Sequence, residues 1–163
     1  MKELFTHLSL RTAYSLIDST IAIDALIKKA KKHRITSLAI TDILNTFNVI
    51  KFYQACITNN IKPIIGCQIP ITNFEYDNQQ PFITLLCKNQ NGYKNLIKLI
   101  SDIHVKNTTS RLPSISIEEI EHYSNGLILC TGGYNGIIGK NLLHTEEAPV
   151  SYTHLRAHET IAD

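Results

Sequence analysis

Short apolar runs alternate along this chain with stretches in which apolar residues recur every three or four positions, a rhythm that predicts β-strands interleaved with amphipathic helices. Leu4 to Leu10 reads as a first strand. Ser19 or Thr20 can cap a helix that lines up Ile23, Leu26, Ile27 and Ala30, with Lys28, Lys29, Lys31 and Lys32 toward the carboxyl end, where the helix dipole favours cations. Ser37 to Ile40 reads as a second strand, Phe47 to Thr58 as a helix with Val49, Ile50, Tyr53 and Ile57 inward, and Pro63 to Ile69 as a third strand. A polar turn over Asn73 to Gln80 leads to a fourth strand, Phe82 to Cys87, and a helix from Tyr93 to Ile103 with Leu96, Ile97, Leu99 and Ile100 apolar. Lys106 to Pro113 is a loop. Ser114 or Ser116 then caps a short helix with Glu118 and Glu119 in its first turn. Gly126 to Cys130 is a fifth strand, a glycine-punctuated turn and short helix run to Leu143, and Pro149 ends the organised region.

Strands separated by helices indicate an α/β class with mostly parallel pairing. A chain of 163 residues with 44% hydrophobic and 18% charged residues can bury one ordinary core. Its net charge of +2, with both signs spread along the sequence, does not form the stripe expected of a stand-alone nucleic-acid binder. Cys56, Cys67, Cys87 and Cys130 lie far apart among apolar residues and form no CxxC pair, so buried free thiols in a reducing compartment are expected. The amino terminus lacks a signal-peptide core and no apolar run has the length of a membrane span, so a soluble, cytoplasmic protein is expected.

Chemistry enters through a collinear series of short motifs. His7-Leu8, Thr12 and Tyr14-Ser15-Leu16-Ile17-Asp18 are followed by Leu38-Ala39-Ile40-Thr41-Asp42 with Asn45, and then by Phe47 and Lys51-Phe52-Tyr53-Gln54-Ala55. Ile61-Lys62-Pro63-Ile64-Ile65-Gly66, Thr84-Leu85-Leu86-Cys87-Lys88-Asn89, Gly92-Tyr93-Lys94-Asn95-Leu96 and Gly126-Leu127-Ile128-Leu129 continue the series. In that order and spacing the chain resembles the PHP domain that opens the α subunits of bacterial replicative DNA polymerases.

The resemblance implies a partial PHP-type barrel, an irregular (β/α)7 fold of which this chain supplies about the first five β/α units over residues 1–149. It implies a parent enzyme that is a DNA-directed DNA polymerase using Mg²⁺, with DNA, dNTPs, a sliding clamp, a proofreading exonuclease subunit and the other polymerase domains as partners. No membrane partner is implied. The catalytic polymerase residues would lie outside this chain, and the domain itself would serve structure and docking. The rival reading is an active metal-dependent PHP phosphoesterase or 3′–5′ exonuclease.

The ligand positions of the family bear on that rivalry, because a cluster of cations needs imidazole and anionic donors to activate water. The two first-strand histidines correspond here to Ser9 and Arg11, the histidine after Asp42 to Ile43, and the acidic residue two after Gly66 to Gln68. Asp18 and Asp42 are the carboxylates that remain, and Phe82 stands where some members carry a histidine. The resemblance therefore implies a vestigial metal site with no cofactor bound by this chain, and Arg11 is expected to pair with Asp42 or Asp18, exchanging metal charge for guanidinium charge.

Other features have plainer readings. His7 precedes the motif by too much to be a ligand and is expected to make one hydrogen bond; His33, His104 and His122 are expected to face solvent. The basic run Lys28 to Arg34 reads as a solvated helix end. Gly132 to Gly139 lacks the Lys-Ser/Thr of a phosphate loop and reads as a tight strand-to-helix turn. Residues 150–163, with His154 and His158, look like a translated adapter sequence and are set apart as a non-native or disordered tail that binds no metal.

Overall fold

The structure is a computed structural model that describes residues 5–16, 18–72, 80–106 and 112–144, the side chains of residues 135 and 141–144 excepted. Elements follow the order α1 (Ile23–Lys32), β1 (Ser37–Ile43), α2 (Val49–Thr58), β2 (Lys62–Pro70), β3 (Phe82–Cys87), α3 (Gln90–Lys106), α4 (Ile117–Glu121), β4 (Leu127–Cys130) and α5 (Ile137–His144). The four strands form one open sheet in the order β1-β2-β3-β4.

β1 and β2 run parallel, whereas β3 is antiparallel to β2 and β4 antiparallel to β3. Mostly parallel pairing thus holds for the β1–β2 unit and for the isolated parallel bridges His7–Leu38 and Ile71–Ile115, and gives way at β3 and β4. The reason lies in the connections. A parallel neighbour needs a crossover, usually a helix, to carry the chain back to the starting end. α2 does this between β1 and β2, but the sequence between Pro70 and Phe82 has polar turn-formers in place of an apolar helical stripe. α3 followed by α4 then delivers the chain to the opposite end from where a single helix would.

The first expected strand is reduced to the bridge at His7. Ala39 N–H donates to the His7 carbonyl at 3.1 Å and Thr41 N–H to that of Leu10 at 2.8 Å, but the Thr41 hydroxyl takes the Leu10 N–H, ending the ladder. Phe5 and Leu8 stay exposed. The expected side-chain caps Ser19 and Thr20 give way to Ala22 at the N-cap of α1, because Ser19 Oγ donates instead to the Arg11 carbonyl.

Strand alternation puts Leu38, Ile40, Ile65, Cys67, Ile69, Ile83 and Leu85 on the face covered by helices. α1 buries Ile23, Ile27 and Ala30 there as the periodicity predicts. α2 buries Val49, Phe52 and Cys56, so the expected inward set is right only at Val49: Ile50, Tyr53 and Ile57 face outward. The helix carries two adjacent apolar stripes, each with i, i+3, i+7 spacing, and packing against α1 selects the one containing Phe52. On α3, Leu96, Leu99, Ile100 and Ile103 are buried, while Ile97 is 39% exposed.

Where α3 leaves its loop, the chain passes so close to the entry of β4 that a Cβ on Gly92 would lie 1.8 Å from the Gly126 carbonyl oxygen. Gly126 itself sits at φ +77°, which favours glycine. The paired glycines of two motifs are therefore one contact. Cys56 and Cys67 are buried, but Cys87 and Cys130, at strand ends near the open edge, are only half-buried. Among the described residues no helix is long and apolar enough to cross a membrane.

Candidate functional site

The site forms where the segment after His7 crosses the carboxyl ends of β1 and β2. Leu10 is fastened to Thr41 through both its N–H and its carbonyl. Extended backbone sends side chains alternately to opposite sides, so Ser9 and Arg11 reach one neighbour and Thr12 another. The β1–β2–β3 register aligns Asp42 with Cys67 on the helix-covered face and Gln68 with Thr84 on the other. Two separate polar clusters result.

The first cluster gathers around Gln68, which is buried. Its carbonyl oxygen accepts from Arg11 Nε at 2.6 Å, and its amide nitrogen donates to Ser9 Oγ at 2.8 Å and to Thr84 Oγ1 at 3.4 Å. The Arg11 guanidinium carbon lies 5.5 Å from the centre of the Phe82 ring, within cation–π range. Its NH1 is 3.7 Å from Asp18 Oδ2, an ion pair between partly exposed groups. Ser9, Arg11, Asp18, Gln68 and Phe82, drawn from across the sequence, thus meet at one place.

The second cluster encloses Asp42, 2% exposed. Oδ1 accepts from Thr12 N–H at 2.6 Å and from Ser15 Oγ at 2.6 Å, while Oδ2 accepts from Thr12 Oγ1 at 2.7 Å. Asn48 Nδ2 donates to Thr12 Oγ1 at 3.0 Å, and Ile43 N–H donates to Ser15 Oγ at 3.2 Å. The carboxylate is a bracket that ties the Thr12–Ser15 turn to β1. Of the two expected partners of Arg11, the pairing falls to Asp18, because Asp42 is taken up by Thr12 and Ser15. Ile43 packs its side chain against the core and brings only its N–H to the site.

Sequence reasoning missed this bracket, although Thr12 and Ser15 stood in the motif; a hydroxyl pair three residues apart opposite a strand-end carboxylate was the available signal. His104 is exposed as anticipated, and its Nε2 also lies 2.9 Å from the Leu44 carbonyl oxygen, where the backbone turns left-handed at φ +51° just past β1. His7 makes its one hydrogen bond through the backbone, accepting from Ala39 N–H, and packs its ring edge-on against Phe5 at 4.7 Å, and His33 and His122 are exposed as anticipated. His154 and His158, like the rest of residues 145–163, lie outside the described residues.

Burial raises the Cys67 thiol from 9.0 to about 12, and those of Cys56 and Cys87 to about 11. Cys67 Sγ donates to the Asp42 carbonyl oxygen at 3.1 Å, so a neutral thiol backs the strand end. Among the described residues no group of three or more His, Cys, Asp and Glu side chains is placed to hold a metal ion.

The sequence profile of the PHP domain matches residues 7–163. Among curated proteins, the DNA polymerase III subunit alpha of Buchnera aphidicola subsp. Schizaphis graminum is 38% identical over 150 residues, covering 91% of this chain and 13% of its own length. That of Vibrio cholerae is 32% identical over 146 residues and that of Escherichia coli 34% over 146 residues, each with 90% of this chain and 13% of the relative covered. This chain therefore spans about 13% of the length of these relatives. Among solved structures, an amidohydrolase from Chromobacterium violaceum overlays 61% of this chain and 33% of its own with 16% identity and a TM-score of 0.47. The chain belongs to the PHP domain family, and the curated relatives similar to it over about nine-tenths of its length are α subunits of bacterial DNA polymerase III.

Proposed function

We propose that this chain is the PHP portion of a DNA polymerase III α subunit and that its strand-tip site is a structural and partner-docking element. The observation that carries the first half is the 38% identity sustained over 91% of the chain with such a subunit. On this reading the parent is a cytoplasmic DNA-directed DNA polymerase, a nucleotidyltransferase that joins dNTPs to DNA with Mg²⁺. The proofreading exonuclease subunit and the sliding clamp are its partners. The PHP part occupies residues 1–149 as about five units of the (β/α)7 barrel, and residues 150–163, which lie outside the described residues, are an addition foreign to it.

The second half rests on the chemistry of the donor set. A cluster of cations requires several converging anionic or imidazole ligands. Ser9 and Gln68 are neutral and already bonded to each other, Arg11 adds a cation of its own, Asp42 spends both oxygens on Thr12 and Ser15, and Asp18 turns to Arg11. These residues do not fit a metal cluster. Guanidinium, amide and hydroxyl groups now supply the contacts that hold the strand ends together.

The reading of the open frame in an intact gene tests the parentage: polymerase-palm aspartates downstream are expected, and a frame that closes soon after this segment would overturn it. For the site, Ser9→His, Arg11→His, Ile43→His and Gln68→Glu introduced together should create stoichiometric Mn²⁺ or Zn²⁺ binding that the natural chain lacks. A natural chain that hydrolyses phosphoesters or trims DNA 3′ ends with added Mn²⁺ would favour the phosphoesterase reading instead.

A further inference from the structure

We infer that the amino-terminal end of the β1–β2 unit, opposite the strand-tip site, is a contact surface for the sugar-phosphate backbone of duplex nucleic acid. The charges of this chain are not evenly spread in space. From Ala25 to Thr72 the sequence contains no carboxylate except Asp42, which is buried at the far end of β1. The cations of the same stretch collect at the near end. Lys28, Lys29, Lys31 and Lys32 occupy the outward arc of the last turns of α1, and His33 and Arg34 follow directly, all exposed. Lys62, also exposed, opens β2 beside them, its N–H bonded to the Thr36 carbonyl at 2.8 Å and its Cα in register with Ser37.

The helix dipole accounts for cations in a last turn. It does not account for Lys62, which lies on a strand, or for the missing counter-charge. The ion pairs among the described residues are Arg11–Asp18, Lys51–Asp24 and Lys106–Glu119, so none involves this cluster, and the single acid of α1 is occupied by Lys51. Lys31 reaches the neutral Asn59 side chain at 3.0 Å, which adds an amide to the surface.

The surroundings select among polyanions. A membrane-surface helix presents an apolar face beside its cations, but the apolar face of α1 is buried against the sheet, and no large hydrophobic side chain from Ala22 to Thr46 is exposed. Single strands are gripped by aromatic stacking, and the cluster has no exposed ring other than His33. Cations with no ion-pair partner among the described residues, with amide support and no platform, suit phosphates in a regular array, read without regard to sequence. The inference stands on this charge geometry and not on the polymerase reading.

Fluorescence anisotropy with the 163-residue chain and a labelled mixed-sequence duplex of about two helical turns tests it. Binding should weaken with salt along a log-log slope of about −4, the value for four to five phosphate contacts. Lys28→Gln, Lys29→Gln and Lys32→Gln together, which keep good helix formers, should weaken binding at least tenfold with an unchanged urea midpoint. Lys94→Gln with Lys98→Gln on the exposed side of α3 should leave binding unchanged. The inference is overturned by absence of duplex binding at low salt, by equal losses in the two variants, by tighter binding to oligo-dT, or by binding to phosphatidylserine vesicles in preference to duplex.

Discussion

Asp42 and Arg11 both belong to the strand-tip site, but the physical chemistry ranks them differently. Asp42 is a buried carboxylate that accepts three hydrogen bonds, and Asp42→Asn would keep one oxygen for the Thr12 N–H and the Ser15 hydroxyl but set an NH2, which cannot accept, against the Thr12 hydroxyl. Leaving such a donor unpaired costs about 3 kcal/mol, which urea unfolding should register. Arg11→Met removes the Nε bond to Gln68 and the contact over Phe82, for about 1–2 kcal/mol. Asp18→Asn, by contrast, should change stability by less than about 0.5 kcal/mol, because a 3.7 Å pair between partly exposed groups is screened by water. If Asp18→Asn were as costly as Arg11→Met, the guanidinium would be held by the ion pair and not by Gln68.

The thiols give a pH dependence at the same scale. Burial raises Cys67 from 9.0 to about 12 and Cys56 from 9.0 to about 11. Above pH 9.0 the unfolded chain releases thiol protons that the folded chain keeps. These groups therefore leave stability untouched below that value and reduce it as pH climbs toward 11 and 12. The urea midpoint should fall through this window, and Cys67→Val should flatten the fall. At neutral pH, Cys56 and Cys67 should resist alkylation until the chain is unfolded.

At the scale of elements, α2 shows what a sequence does and does not disclose. Its existence follows from periodicity, but Val49-Phe52-Cys56 and Ile50-Tyr53-Ile57 are equally regular stripes, and only the position of α1 decides between them. Phe52→Ala should cost about 3–5 kcal/mol for the void it leaves, whereas Ile50→Gln should stay within about 0.5 kcal/mol; denaturation of the two variants reads the difference. The cap of α4 was legible as a choice between Ser114 and Ser116, and the structure gives it to Ser116, which bonds Glu119 reciprocally. Strand direction was not, because it depends on how many helical passes separate two strands, and that depends in turn on whether short runs such as Ile117–Glu121 become helices. The site was legible as a set of positions, through the order of the motifs. Its division into two clusters was hidden, because it follows from the register that sends Asp42 and Gln68 to opposite faces.

At the scale of the whole sheet, the described residues place the helices and the Asp42 cluster on one face and the Gln68 cluster on the other, both at the carboxyl ends of β1 and β2. The most direct test of its central claim, that the strand ends are closed by the chain's own side chains and not by cations, is thermal unfolding followed in EDTA and then with increasing Mn²⁺ or Zn²⁺. A ligand that binds only the folded state at a hundred times its dissociation constant adds about 2.7 kcal/mol. The account predicts that the midpoint in the natural chain does not move with either ion. A rise of several degrees that saturates with metal and disappears on chelation would contradict it.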